Sequence, residues 1–143
     1  RSLPWELLEH APHAGVQRLV RDLNRVLRAC PALHELDASP EGFGWIDHAD
    51  AAHSILVFER RATSGERVLV LCNFTPVVRH GWRIGVPQAG SWAELINTDA
   101  DVYGGSNVVN GPLASELVPW QGQAQSVQLT LPPLATVMLV RRG

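Results

Sequence analysis

The sequence predicts a mainly β protein, an antiparallel β-sandwich preceded by one amphipathic helix. Three observations carry that prediction. The run Glu66–Arg79, ERVLVLCNFTPVVR, contains the longest unbroken apolar stretch in the chain. Residues 16–30 repeat their apolar side chains with a helical period. Beyond Pro31 the chain breaks into short extended segments separated by proline and glycine turns.

Along a strand, successive side chains point to opposite faces. Val68, Val70, Cys72 and Phe74 would therefore share one side, and Leu69, Leu71 and Asn73 the other. Both faces need burial, so Leu71 and Phe74 are expected in the core of a central strand. Thr75-Pro76 ends it, because proline has no N–H for the ladder and biases its predecessor towards extended or turn backbone.

In chain order, residues 1–15 combine Trp5, Leu7 and Leu8 with Pro4, Pro12 and Gly15, which reads as a connector with at most one helical turn. Val16, Leu19, Val20, Leu23, Val26, Leu27 and Cys30 then recur at i, i+3, i+4, i+7, i+10, i+11 and i+14, the pattern of an amphipathic helix over 16–30 that Pro31 stops. Arg18, Arg21, Asp22, Arg25 and Arg28 lie on its other face and are expected to meet solvent. Seven strands are predicted near 43–48, 53–60, 66–74, 78–85, 91–96, 126–131 and 135–141, a number that suits a sandwich. The stretch 97–122, with Gly104, Gly105, Gly111 and Gly122 and no clear period, is predicted to be a long ordered loop. A lone helix with a wide apolar stripe needs something to lie against: the sandwich, or a partner outside this sequence.

At 143 residues, 45% hydrophobic and 18% charged, the chain suffices for one domain with a real core. A net charge of -2 without basic clusters gives no footprint for nucleic acid or a membrane surface. Cys30 and Cys72 sit at apolar positions outside any CxxC pattern, which suits a reducing cytoplasm. Neither an apolar run long enough to span a bilayer nor an export leader is apparent, and Arg1 in place of Met fits a piece of a longer protein.

No catalytic residue, metal site or cofactor is expected. Glu35 with Asp37, Asp47 with Asp50, and Asp99 with Asp101 are possible carboxylate pairs for glycoside chemistry, but each sits in a turn setting where acidic residues serve the backbone. Asp99–Asn110 begins like a calcium loop yet has Tyr103 at its fifth position and Asn110 where a bidentate Glu is required. His10 with His13 and His48 with His53 lack a third ligand at a usable spacing. Asn73-Phe74-Thr75 matches the glycosylation pattern but falls on the most apolar strand. Five tryptophans remain: Trp5, Trp45, Trp82, Trp92 and Trp120. Aromatic burial is the commoner use of such side chains. Trp120, in the glycine-bearing stretch, is the least structural by position, and with Tyr103 it is the candidate for contact with a sugar.

The segments GVQRLVRDLN (15–24), PALHELD (31–37), GFGWIDHAD (42–50), NFTPVVR (73–79), NTDADVYGGSN (97–107) and LTLPPLATVMLV (129–140), taken in order, resemble the C-terminal end of bacterial 1,4-α-glucan (glycogen) branching enzymes of the α-amylase superfamily. The resemblance implies that residues 1–31 are the end of a catalytic (β/α)₈ barrel, with the helix its last, and that 32–143 form a Greek-key-like C-terminal β-sandwich. It also implies that the nucleophilic Asp, the acid/base Glu and a third Asp lie upstream, so that this portion supports α-glucan transfer without performing it. Its partners would be that barrel and, through the parent enzyme, glycogen or amylose. A glucan-binding module and a self-association module are the alternatives.

Overall fold

The computed structural model describes residues 11–36, 40–47 and 54–143. Helix α1 (Ala11–Ala29) is followed by a 3-10 turn at Pro31–Leu33 and another at Pro40–Gly42. Eight strands follow: β1 (Phe43–Asp47), β2 (Ile55–Arg61), β3 (Arg67–Asn73), β4 (Arg79–Val86), β5 (Ser91–Asn97), β6 (Leu113–Ala114), β7 (Gln125–Leu131) and β8 (Ala135–Arg141), with a 3-10 turn at Asp101–Tyr103 between β5 and β6.

Six strands form one sheet in the order β1-β2-β3-β8-β5-β6, and β4 pairs with β7 in a second. Every pairing is antiparallel. The core lies between the layers. Ile55, Val57, Leu69, Leu71, Trp92, Val137 and Leu139 of the large sheet meet Ile84, Val86, Val127, Leu129 and Leu131 of the small one. The outer face of the large sheet carries a second cluster, in which Val68, Val70 and Val140 lie under Val26, Cys30, Ala32 and Leu33. Strand β3 sits between β2 and β8 and is apolar on both faces, as its alternation requires.

Three expectations need correction. Phe74 is not in the core: β3 ends at Asn73, the Phe74 N–H donates to Ser54 O, and the ring is 58% exposed. Asn73 holds the chain there, its buried amide donating to Val77 O and Pro132 O while its oxygen accepts from the Thr75 N–H and hydroxyl. Helix α1 begins five residues before the predicted 16, running through Pro12 and Gly15. Pro12 is tolerated because first-turn N–H groups have no acceptor inside a helix. The 97–122 stretch is not strandless, since β6 and bridges Glu116–Ser126 and Trp120–Gln123 organise it.

Candidate functional site

The most constructed feature outside the core is the junction between α1 and the segment after β5. Asp99 is buried, and its carboxylate accepts from the Ser106 N–H at 3.0 Å, the Ser106 hydroxyl at 2.8 Å and the Val108 N–H at 2.8 Å. Asn97 accepts from the Asp99 N–H at 2.9 Å and donates to Val108 O and to Glu94. Asn110 ties the far end of the loop to Glu94 and to both backbone groups of Thr130. These bonds fold the loop on itself and push Asp101–Tyr103 outward as a rigid turn.

That turn grips the helix. The Tyr103 hydroxyl donates to Asp22 Oδ2 at 2.6 Å, and Arg18 Nη1 donates to Val102 O at 2.9 Å. Gly15 lies against the Tyr103 carbonyl so closely that a Cβ would stand 2.5 Å from it. Asp22 is also paired with Arg25 at 3.1 Å and Arg21 at 3.6 Å. The Tyr103 hydroxyl bond, with the two arginines adding to it, holds the Asp22 carboxyl below the usual carboxylate range. Burial, reinforced by the hydrogen bond and charge of Asp22, pushes the Tyr103 phenol up to about 12. So the helix face expected in solvent is in part the face that binds the sandwich: Arg18 and Asp22 point at the turn, whereas Arg21 and Arg25 are mostly exposed.

The apolar face is split. Val26 is buried on the sheet, while Val16, Val20 and Leu27 are exposed and Leu23 half-buried. At spacings of 4, 3 and 4, residues 16, 20, 23 and 27 fall in one stripe turned away from the Gly15–Asp22–Val26 line by about a quarter turn. A second apolar edge lies at the end of the sheet where the loop begins. Phe74, Leu134 and Thr98 line a hollow of about 180 Å³ there, and Leu134 is held at a left-handed φ of 47° by its N–H bond to Thr75 O.

Asp99 is spent on the loop, and Asp101 is exposed beside it. Glu35 accepts from the N–H and hydroxyl of Thr63 and is lowered in pKa by those bonds. Asp37, Asp50, His10, His48 and His53 lie outside the described residues, as do the side chains of Asp47 and His13. Asn73 is buried at 1% exposure with both amide hydrogens used, so the glycosylation pattern falls on a structural side chain. Among the described residues no group of three or more His, Cys, Asp or Glu is placed to hold a metal ion. Tyr103 and Trp120 are not brought together: the first binds α1, the second sits over β4 of the small sheet. Trp92 is fully buried, Trp82 packs against the core, and Trp45 is half-exposed beside Phe43 and Phe58.

Residues 45–142 match the family described as "Alpha amylase, C-terminal all-beta domain". The chain belongs to that family. The α-amylase C-terminal domain here corresponds to the two sheets, with α1 ahead of the matched span. Over 96% of its length the chain is 56% identical to a 1,4-alpha-glucan branching enzyme GlgB of Rubrobacter xylanophilus, and 53% identical to one of Cereibacter sphaeroides. Over 99% it is 51% identical to that of Aquifex aeolicus. It spans about a fifth of the length of these curated relatives, 19% of the first two and 23% of the third. No helix of the described residues is long and apolar enough to cross a membrane.

Two signals in the sequence could have revealed the clamp. A glycine directly before a strong helical period, Gly15, signals a close approach, and Tyr103 followed by Gly104-Gly105 marks a tight turn presenting an aromatic residue.

Proposed function

We propose that this chain is the C-terminal portion of a 1,4-α-glucan branching enzyme, a structural part that braces the catalytic barrel and contributes no reacting group. The observation that carries this is the identity of 51–56% to branching enzymes over 96–99% of the chain. In this reading the domain boundary falls near Pro31, with α1 the last helix of the barrel and residues 32–143 the sandwich. The clamp fixes α1 on the sandwich, and the open stripe Val16–Val20–Leu23–Leu27 then meets the neighbouring barrel helices. The exposed Phe74–Leu134 edge, which begins beside the clamp loop, would extend the same interface. Cleavage of an α-1,4 bond and transfer to a 6-hydroxyl of glycogen or amylose belong to upstream residues. Cys30 and Cys72, both unbridged, suit a cytoplasmic setting.

The test compares this chain with the longer protein that contains it. On amylose, the longer protein should lower iodine colour and raise α-1,6 linkages, and this chain alone should do neither. Turnover by the chain alone that Asp99→Asn abolished would defeat the proposal. In the longer protein, Val20→Glu with Leu27→Glu should lower activity by breaking the contact between α1 and the neighbouring barrel helices.

A further inference from the structure

On the opposite layer from α1, the segment Leu117-Val118-Pro119-Trp120 is exposed, with Leu117 at 87% and Trp120 at 45%. Contiguous exposed apolar side chains mark binding surfaces when they are held in place. These are held. Trp120 and Gln123 exchange both backbone hydrogen bonds, at 3.0 and 2.9 Å, around Gln121 and Gly122, whose φ angles of 51° and 78° make the two-residue turn a type I′. The turn is seated on β4: a Cβ at Gly85 would collide with the Trp120 carbonyl oxygen, and the Gly85 N–H donates to Gln121 Oε1 at 2.9 Å. At the base, Glu116 bridges Ser126 through two backbone bonds, and the Ser126 hydroxyl donates to Val118 O. A left-handed non-glycine residue is strained and persists only where its surroundings fix it. Gln121 fits that description, and what it fixes is the position of Trp120.

We propose that Trp120 on this turn is a surface platform for an α-1,4-glucan chain, separate from any catalytic cleft. The inference rests on the glucan reading of the parent enzyme for its ligand, and on the geometry for its place. Opposed residues of an antiparallel pair share one side, so Gln123 lies on the side of Trp120, its stem packed over Gly85 of β4. Gln123 is half-buried and Gln128 exposed, and the Arg83–Glu116 pair, 3.2 Å apart, balances its own charge nearby. An apolar ring with a neutral amide residue as its cross-strand neighbour complements the C–H face and hydroxyl rim of a pyranose. A stable protein contact needs about 800 Å² from each partner, more than four partly exposed residues on a convex turn supply.

The experiment is affinity electrophoresis of this chain in gels containing glycogen, with maltoheptaose as soluble competitor. The parent chain should be retarded, maltoheptaose should release it, and Trp120→Ala should weaken binding by roughly tenfold or more, as loss of a stacked ring implies. Trp120→Phe should retain part of the retardation, and Tyr103→Phe should retain all of it. Circular dichroism and the unfolding midpoint must match those of the parent chain; if Trp120→Ala misfolds, Gln123→Ala, which leaves the turn backbone intact, gives the second reading and should weaken binding severalfold. No retardation of the parent chain, or unchanged retardation in Trp120→Ala, overturns the platform. Self-association in sedimentation that Trp120→Ala removes, without glycogen retardation, also overturns it and assigns the patch to a second copy. If the longer protein branches amylose while Trp120→Ala binds normally, only the platform fails. If retardation is lost in Trp120→Ala but the longer protein forms no branches, the platform stands and the branching reading fails.

Discussion

The space between the two sheets and the junction between α1 and the sandwich are built on opposite principles. Between the sheets, Leu71, Val127 and Leu139 are fully buried side chains without polar atoms, and Trp92 adds one bond, its indole N–H donating to Gln88 O, so stability there comes chiefly from burial. At the junction a tyrosine hydroxyl, an arginine and a glycine make the decisive contacts, while half of the apolar stripe is left open. Apolar burial is non-directional, whereas hydrogen bonds fix an angle. The difference teaches that the sandwich supports its own fold, and that the clamp sets the orientation of a helix whose remaining apolar surface is left open.

The largest effects should come from the interior. Trp92→Ala should cost about 3–5 kcal/mol and Leu71→Ala about 2–5 kcal/mol, because a cavity adds to the lost transfer energy. Denaturant midpoints read both; values near that of the parent chain would mean that the space between the sheets is not the core. At the junction, Gly15→Val should cost about 1–3 kcal/mol by forcing the Tyr103 turn away. Its signature is selective: amide exchange should quicken in α1 and not in β3 or β8. Uniform acceleration across all three would show that helix and sandwich unfold as one unit.

The two regions should also part company with pH. The Asp22 pKa is lowered by docking, so its contribution is present above the ordinary carboxylate range and fades as pH falls through the docked value. The Tyr103 pKa is raised by docking, so its contribution is whole below the ordinary phenol value near 10 and is lost as pH rises through about 12. Helix docking should therefore weaken at both extremes. Asp22→Asn should remove the acid limb, and an unchanged acid limb in that variant would place the titration elsewhere. The smallest effects belong to exposed apolar residues. Phe74→Ala and Val20→Glu should each shift the stability of this chain by no more than about 0.5 kcal/mol.

Most of the sandwich was legible because period-two alternation reports burial directly. The two faces of β3 and the half-buried β7 follow from it, and the apolar stripe of α1 follows from its helical period. Phe74 misled because alternation says which face a residue shares and not where the ladder stops; Asn73, bonding four ways at the strand end, set that limit. The start of α1 was missed because Pro12 and Gly15 are breakers in mid-helix and harmless or required where they stand. The clamp's pairing was not legible, although Gly15 and the Tyr103-Gly104-Gly105 turn signal a close approach, because Asp22 and Tyr103 lie 81 residues apart and only the folded loop brings them within 2.6 Å. Trp120 could be singled out by its position, but the turn geometry that fixes it depends on Gly85 in a strand far from it in sequence.

Tyr103 is the chain's only tyrosine, so the ultraviolet absorbance of phenolate comes from the clamp and from nowhere else in the sequence. No label or engineered probe is needed to follow the junction. A docked helix holds the spectrum of the neutral phenol well past the pH at which a free tyrosine has changed colour in the ultraviolet, and a detached one does not. The delay between mixing with alkali and the appearance of that band would time the opening of the helix directly, in a molecule whose core carries a different chromophore, the buried indole of Trp92.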